Sequence, residues 1–242
     1  MPLVGVADYG LMVWEGTLVD YEERVQNALS VGFDGLERLR PSSASDGMEM
    51  AARVRRLGAS FATVLAPNLD QSIRWTAALG KEYVWVKADE QNFDQFCRQV
   101  NLQTKAAARY GIKAAYHFHS GPAIHSLNQF QAFMEACPDV HLILDTANHF
   151  LADMDPLHIL DSYYSRLAAV HLKDWVVDAS MPKGGRTCVL GQGNIAFDLH
   201  NFLRKLLDKG YDKWVFVEPE HFQTDPWAEL KQCREFVAQV GI

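Results

Sequence analysis

Short apolar runs recur along the chain at nearly even intervals, most of them entered through an amphipathic stretch and a glycine. The segments "NALSVGFDGLERL", "VRRLGASFATVLAP", "AALGKEYVWVKAD", "AARYGIKAAYHFH" and "LLDKGYDKWVFVEPE" repeat the pattern, with the glycine at 32, 58, 80, 111 and 210. A glycine there suits the position just past a helix, where a left-handed backbone is needed. Two further runs, "VHLILDTA" and "AAVHLKDW", lack that glycine, and Pro138 ends the helix before the first of them. With "LVGVADYG" at the start, strands are expected near 3–8, 34–38, 59–64, 83–87, 112–117, 140–145, 168–173 and 213–218. Helical periodicity occupies 20–31, 46–57, 94–110, 126–136, 156–166 and 197–209. The intervals after the third and seventh strands are less regular. Strands alternating with helices make βαβ units and a parallel sheet. Eight such units in 242 residues have the size of one (β/α)8 barrel, so the expected fold is α/β, a single TIM barrel over 1–242. The competing architecture is a doubly wound open sheet, but no GxGxxG follows the first strand.

Composition narrows the partners. Hydrophobic residues make up 48% of the chain, enough for a substantial core, and no linker or low-complexity segment divides it. The 23 Lys and Arg against 30 Asp and Glu give a net charge of -7. That balance disfavours a nucleic-acid partner, whose phosphates need a basic face. It suits an enzyme of small metabolites. Cys97, Cys137, Cys188 and Cys233 form no CxxC pair, which argues against a zinc ribbon or a disulfide framework and for separate reduced thiols. The start, "MPLVGVADYG", has no basic region ahead of a long apolar core. No stretch approaches the roughly 20 apolar residues that span a bilayer. The expectation is a cytoplasmic protein with no membrane partner; a homo-oligomer is left open.

In a (β/α)8 barrel, chemistry gathers at the C-terminal ends of the strands, and side chains alternate between the interior and the helices. That alternation sorts the polar residues. In "YHFH", Tyr116 and Phe118 face the helices, so His117 and His119 face the barrel mouth. In "LILDTA", Leu142 and Leu144 face out and Asp145 faces in. His171 and Lys173 share the inner face of "VHLKD", with Leu172 outside. Val215 and Val217 put Glu218 inside, and Leu36 does the same for Glu37. A solvated polar rim is the alternative for any one residue, but five strands agree. Converging ionisable groups are costly unless paired or bound to metal. Asp, His and Glu suit Mn²⁺, Co²⁺, Fe²⁺ or Zn²⁺, acting as a Lewis acid on a carbonyl oxygen.

The pieces "GFDGLE", "YHFHSG", "LDTANHFLADMDP", "RLAAVHLKD" and "GQGNIAFDLHNFLRKLLDKGYDKWVFVE" together resemble the xylose-isomerase-like TIM barrel family. That group contains sugar isomerases and epimerases, inosose-dehydratase-like lyases and, more distantly, endonuclease IV. The likeness runs from about residue 30 to 235. It implies one divalent metal held by four residues from four strands, usually Glu, Asp, His and Glu. By motif, Asp145, His171 and Glu218 match the last three. The first is a departure: where inosose-dehydratase-like members carry a glutamate, this chain has His125. An imidazole in place of a carboxylate favours Mn, Zn, Co or Fe over Mg. His117 and His119 then look like groups that contact substrate or support the ligands. Asn148 stands where "DTGH"-type members have histidine, and either binds a sugar hydroxyl or starts a helix.

The chemistry implied is removal of a proton next to a metal-polarised carbonyl of a small keto-sugar. Returning it to the neighbouring carbon is isomerisation, returning it to the opposite face is epimerisation, and expelling a β-hydroxyl is dehydration. Glu218 is the expected base. Lys173, His119 and Glu37 are the other catalytic candidates. His117, Asn148, Asp174 and Arg186 are the substrate-binding candidates. Arg186 lies in "MPKGGRTCVLGQG", a glycine-rich loop where a phosphate site often forms in such barrels. Trp14 and Trp175 either stack on a sugar ring or pack as walls. The expected function is a metal-dependent sugar isomerase or epimerase. A dehydratase is the alternative, and a non-catalytic sugar-binding barrel with a decayed metal site is the second.

Overall fold

The structure, a computed structural model, describes residues 1–16, 19–181 and 184–242. Its strands are β1 (Leu3–Val6), β2 (Gly35–Leu39), β3 (Ser60–Val64), β4 (Tyr83–Trp85), β5 (Lys113–His117), β6 (His141–Asp145), β7 (Leu167–Leu172), β8 (Asp174–Val177), β9 (Gly185–Cys188) and β10 (Trp214–Val217). Its helices are α1 (Tyr9–Glu15), α2 (Tyr21–Ser30), α3 (Ala44–Arg56), α4 (Leu69–Ala78), α5 (Phe93–Ala108), α6 (Leu127–Ala136), α7 (Thr146–Leu151), α8 (Pro156–Tyr163), α9 (Leu199–Asp208) and α10 (Pro226–Ala238). Eight strands form one sheet in the order β3-β2-β1-β10-β7-β6-β5-β4. β1 pairs in parallel with both β2 and β10, and β5 with both β4 and β6. This order, with helices between the strands, is a (β/α)8 barrel. The two irregular intervals are also explained. α4 fills the first, started by Asn68, whose side chain accepts from the Gln71 N–H. The second holds an antiparallel hairpin, β8 with β9.

Two compact units make up the chain: Met1–Arg38, Met50–Phe61 and Val170–Ile242 form one, and Leu39–Glu49 with Ala62–Ala169 form the other. β2, β3 and β7 each run from one into the other.

In the first unit, β1 lies along β10 from Leu3 opposite Trp214 to Val6 opposite Val217. Trp214 and Phe216 stack at 5.0 Å, and His171 meets the Phe216 ring edge-on at 5.7 Å. Gly5 makes room for this stack, since a Cβ there would lie 2.7 Å from the Phe216 ring. α9 buries Leu199, Phe202, Leu203 and Leu206, one helical stripe. Each such side chain contributes about 1.5–3 kcal/mol when buried.

In the second unit, the alternation along β5 is as the sequence predicts. Tyr116 packs on Phe96 of α5 and Phe133 of α6, at 5.6 and 4.8 Å between ring centroids. Phe118 packs edge-on against Phe130 of α6 at 5.7 Å. His117 therefore points the other way. The first and last strands of the sheet order meet through a side chain, the Thr63 hydroxyl donating to the Tyr83 carbonyl at 2.6 Å. Among the described residues, no helix is long and apolar enough to cross a membrane.

Candidate active site

The chemistry-bearing residues lie at or just beyond the C-terminal ends of the strands, and each unit holds its own cluster. In the second unit the cluster starts at Asp145, the last residue of β6. Its Oδ1 accepts from the Asn148 N–H at 2.7 Å and caps α7. That leaves Oδ2 for His117 Nε2, 3.2 Å away, with both side chains buried. His117 Nδ1 lies 2.9 Å from His119 Nε2, and His119 Nδ1 lies 3.3 Å from the Asn148 amide nitrogen, which also donates to the Phe118 carbonyl. Asp145 rather than Asn148 therefore caps α7, and the Asn148 side chain instead joins the chain of side chains that ends on Asp145. His149, its neighbour, is fully buried between Phe118 and Phe130 and donates from Nδ1 to the Asp145 carbonyl at 2.7 Å. Burial pushes its pKa down to about 4, so it stays neutral.

In the first unit, His171 at the end of β7 is clamped by two carboxylates. Nδ1 lies 2.7 Å from Glu218 Oε2, just beyond β10, and Nε2 lies 3.1 Å from Glu37 Oε1 on β2. Burial works against a charge on the ring, but Glu37 and Glu218 outweigh it and raise the pKa to about 10. Burial likewise works against ionised Glu37, yet His171 and then Arg38 hold its pKa below the ordinary value. The same Glu218 oxygen is 3.0 Å from Lys173 Nζ, which also donates to Glu220 Oε1 at 2.7 Å. Lys173 is 1% exposed, so this ammonium has its partners inside the protein. Arg38 donates to Asp8 Oδ1 at 2.7 Å. Arg38, Asp8 and Glu220 were not singled out from the sequence; alternation put Arg38 on the far side of β2 from Glu37.

The remaining candidates fall elsewhere. Asp174 accepts from the N–H groups of Trp175, Gly191 and Gly193 at 2.8, 2.8 and 3.0 Å. The two glycine amides of "GQG" are therefore taken up by the chain's own carboxylate, and the Gln192 N–H donates to the Val189 carbonyl. Gly193 is needed for this approach, since a Cβ there would lie 1.9 Å from Asp174 Oδ1. Arg186 lies on β9 and donates to the Thr187 carbonyl at 3.4 Å. His125 is exposed in the turn before α6, its backbone N–H donating to Gln129 Oε1 at 2.9 Å. Trp14 is 53% exposed and edge-on to Phe222. Trp175 is buried, and its indole N–H has no hydrogen-bond partner among the described residues.

Four of these groups, His117 and Asp145 in one unit and His171 and Glu218 in the other, each offer one buried donor of a kind that can hold a metal ion. Two imidazoles and two carboxylates suit a divalent ion of intermediate hardness. The raised pKa of His171 shows that the carboxylates around it stabilise positive charge at this position.

An inosose dehydratase from Geobacillus kaustophilus (strain HTA426) is 29% identical over 141 residues, covering 52% of this chain and 46% of the relative. The chain thus spans about half the length of the curated relatives it matches. A solved L-ribulose 3-epimerase superposes with a TM-score of 0.75 at 18% identity, covering 99% of this chain and 94% of that one. A 3-keto-D-glucoside 4-epimerase from E. coli superposes with a TM-score of 0.74 at 14% identity, covering 99% and 100%. These two likenesses show the fold. A profile of the Xylose isomerase-like TIM barrel family matches residues 25–239, and with most of the chain so matched the protein belongs to that family.

Proposed function

We propose that the protein is a divalent-metal-dependent isomerase or epimerase of a small keto-sugar, working by removal of a proton next to a carbonyl. The observation that carries this reading is the buried pairing of His171 with Glu37 on one ring nitrogen and Glu218 on the other, with Lys173 on the same Glu218 oxygen. Such a set has no evident use in packing, and it lies where barrels of this kind do their chemistry. His117, Asp145, His171 and Glu218 are the proposed ligands, with His117 taking the place that the sequence reading gave to His125. A divalent ion held there supplies Lewis-acid polarisation of the substrate carbonyl.

The chain's own groups do the rest. Glu218 is placed to take the proton, and Lys173 and Glu220 fix where its oxygen lies. Glu37 flanks His171 from the other nitrogen and is the second acid/base. His119 and Asn148 fix the ring of His117, as groups behind a metal ligand commonly do. The second reading is a dehydratase, favoured by the 29% identity to an inosose dehydratase over half the chain.

The test is metal content followed by exchange of the α-proton of keto-sugars with solvent. About one transition metal per chain and metal-dependent exchange are expected. Glu218→Gln should lower exchange about 10²–10⁴-fold while leaving the circular dichroism spectrum unchanged. Full activity in that variant would sink the assignment. A product absorbing in the ultraviolet would select the dehydratase.

A further inference from the structure

A cleft beside His117 and His119 bears on what the substrate is. It lies wholly within the second unit, has a volume of about 520 Å³, and opens between the segments 86–91 after β4 and 119–124 after β5. Small-molecule sites run to roughly 300–1,000 Å³, so the size is apt. Half-buried Trp85, the last residue of β4, is one wall, its indole 4.7 Å from the His117 ring at an angle of 42°. An aromatic face there leads directly to the imidazole that meets Asp145.

Both loops are held by the protein itself. Gln99 and Gln103, one turn apart on α5, pin the first loop. Gln99 donates to Glu90 Oε1 at 2.7 Å, while Gln103 accepts from the Lys87 N–H at 2.9 Å and donates to the Lys87 carbonyl. In the second loop the Gly121 N–H donates to the Ile124 carbonyl at 2.9 Å. A wall fixed beforehand costs little ordering entropy on binding.

The charges in the cleft point to a neutral ligand. Lys87, Asp89 and Glu90 line it, one cation against two carboxylates, a field unfavourable to a phosphate dianion. Of the groups that the sequence offered for phosphate, the Gly191 and Gly193 amides are engaged with Asp174, and Arg186 belongs to the first unit and is not among the residues that line this cleft.

We infer that Trp85 is the platform on which the C–H face of an unphosphorylated polyhydroxylated substrate lies, and that the cleft holds the part of the substrate remote from the reacting carbons. The ring supplies apolar contact, and the carboxylates and imidazoles around it accept and donate to hydroxyls. This rests on the keto-sugar reading, but binding can be measured without turnover.

The experiment is calorimetric titration of the metal-loaded protein with L-ribulose, an inosose and L-ribulose 5-phosphate, in wild type, Trp85→Phe and Trp85→Ala. A neutral sugar should bind wild type, about tenfold more weakly in Trp85→Ala, and within about threefold of wild type in Trp85→Phe, because the ring is kept. The phosphorylated sugar should bind no tighter than the neutral one. Unchanged affinity in Trp85→Ala, a clear preference for the phosphate, or binding of neither neutral sugar would overturn the inference. If Trp85→Ala does not fold, fluorescence decides: the sugar should quench wild type and not Trp85→Phe, and equal quenching in both would refute the platform. Exchange of the α-proton with no dependence of binding on Trp85 sinks this inference alone. Binding that depends on Trp85 without any exchange sinks the catalytic reading alone.

Discussion

His171 sets the proton balance of the first unit. With its pKa at about 10, the ring carries a proton at neutral pH, and a metal taking one of its nitrogens must displace that proton. Metal affinity should therefore rise about tenfold per pH unit across pH 6.5–8.5, with about one proton released from this ring on binding. Chelator competition at several pH values, with calorimetry in buffers of different ionisation heat, measures both. Flat affinity would remove His171 from the ligand set. His149 has the opposite sign. Its folded pKa of about 4 lies below the 6.5 of an exposed ring, so between those values the unfolded chain holds a proton that the folded one lacks. Stability is full above pH 6.5 and falls as the pH drops toward 4, by about 3 kcal/mol in all. Urea midpoints at pH 7.5 and 5 should differ more in wild type than in His149→Gln. Residue by residue, Asp145, His171 and Glu218 were legible because each ends an apolar run with the right parity. His117 was legible as an inward group but not as the partner of Asp145. That depends on how β5 and β6 are registered, which no single segment encodes. Asp8 and Arg38 were invisible for the same reason, since Asp8, just before α1, meets Arg38 on β2 across 30 positions of sequence.

Elements were more legible than contacts. Every strand expected from apolar runs is present, because burial on both faces of a parallel strand leaves a continuous hydrophobic signature. The β8–β9 hairpin left no such signature. What organises the turn after it is Asp174, whose carboxylate collects three backbone N–H groups from two segments, a satisfaction only the folded chain defines. Asp174→Ala should cost about 3 kcal/mol by leaving those donors without their acceptor, read as a lower urea midpoint. Asp174→Asn should recover part of that loss. Gly193→Ala should be damaging too, because its methyl would occupy the place of the carboxylate oxygen. If both were silent, the turn would not depend on this carboxylate.

For the whole molecule the decisive feature is the pairing of β1 with β10, residues 3–6 against 214–217. A chain ending before β10 loses the partner of β1 and also Glu218. It should show no cooperative thermal transition by circular dichroism and should be degraded rapidly by trypsin. Contacts this distant in sequence are closed late and slow folding. The same pairing sets a timetable during synthesis. A ribosome releases Asp145 and His171 long before β10, so the nascent chain lacks Glu218, one of the proposed ligands, until that strand has emerged. On the proposed ligand set, metal loading would follow the emergence of β10, and the ion selected would be the one present at that point.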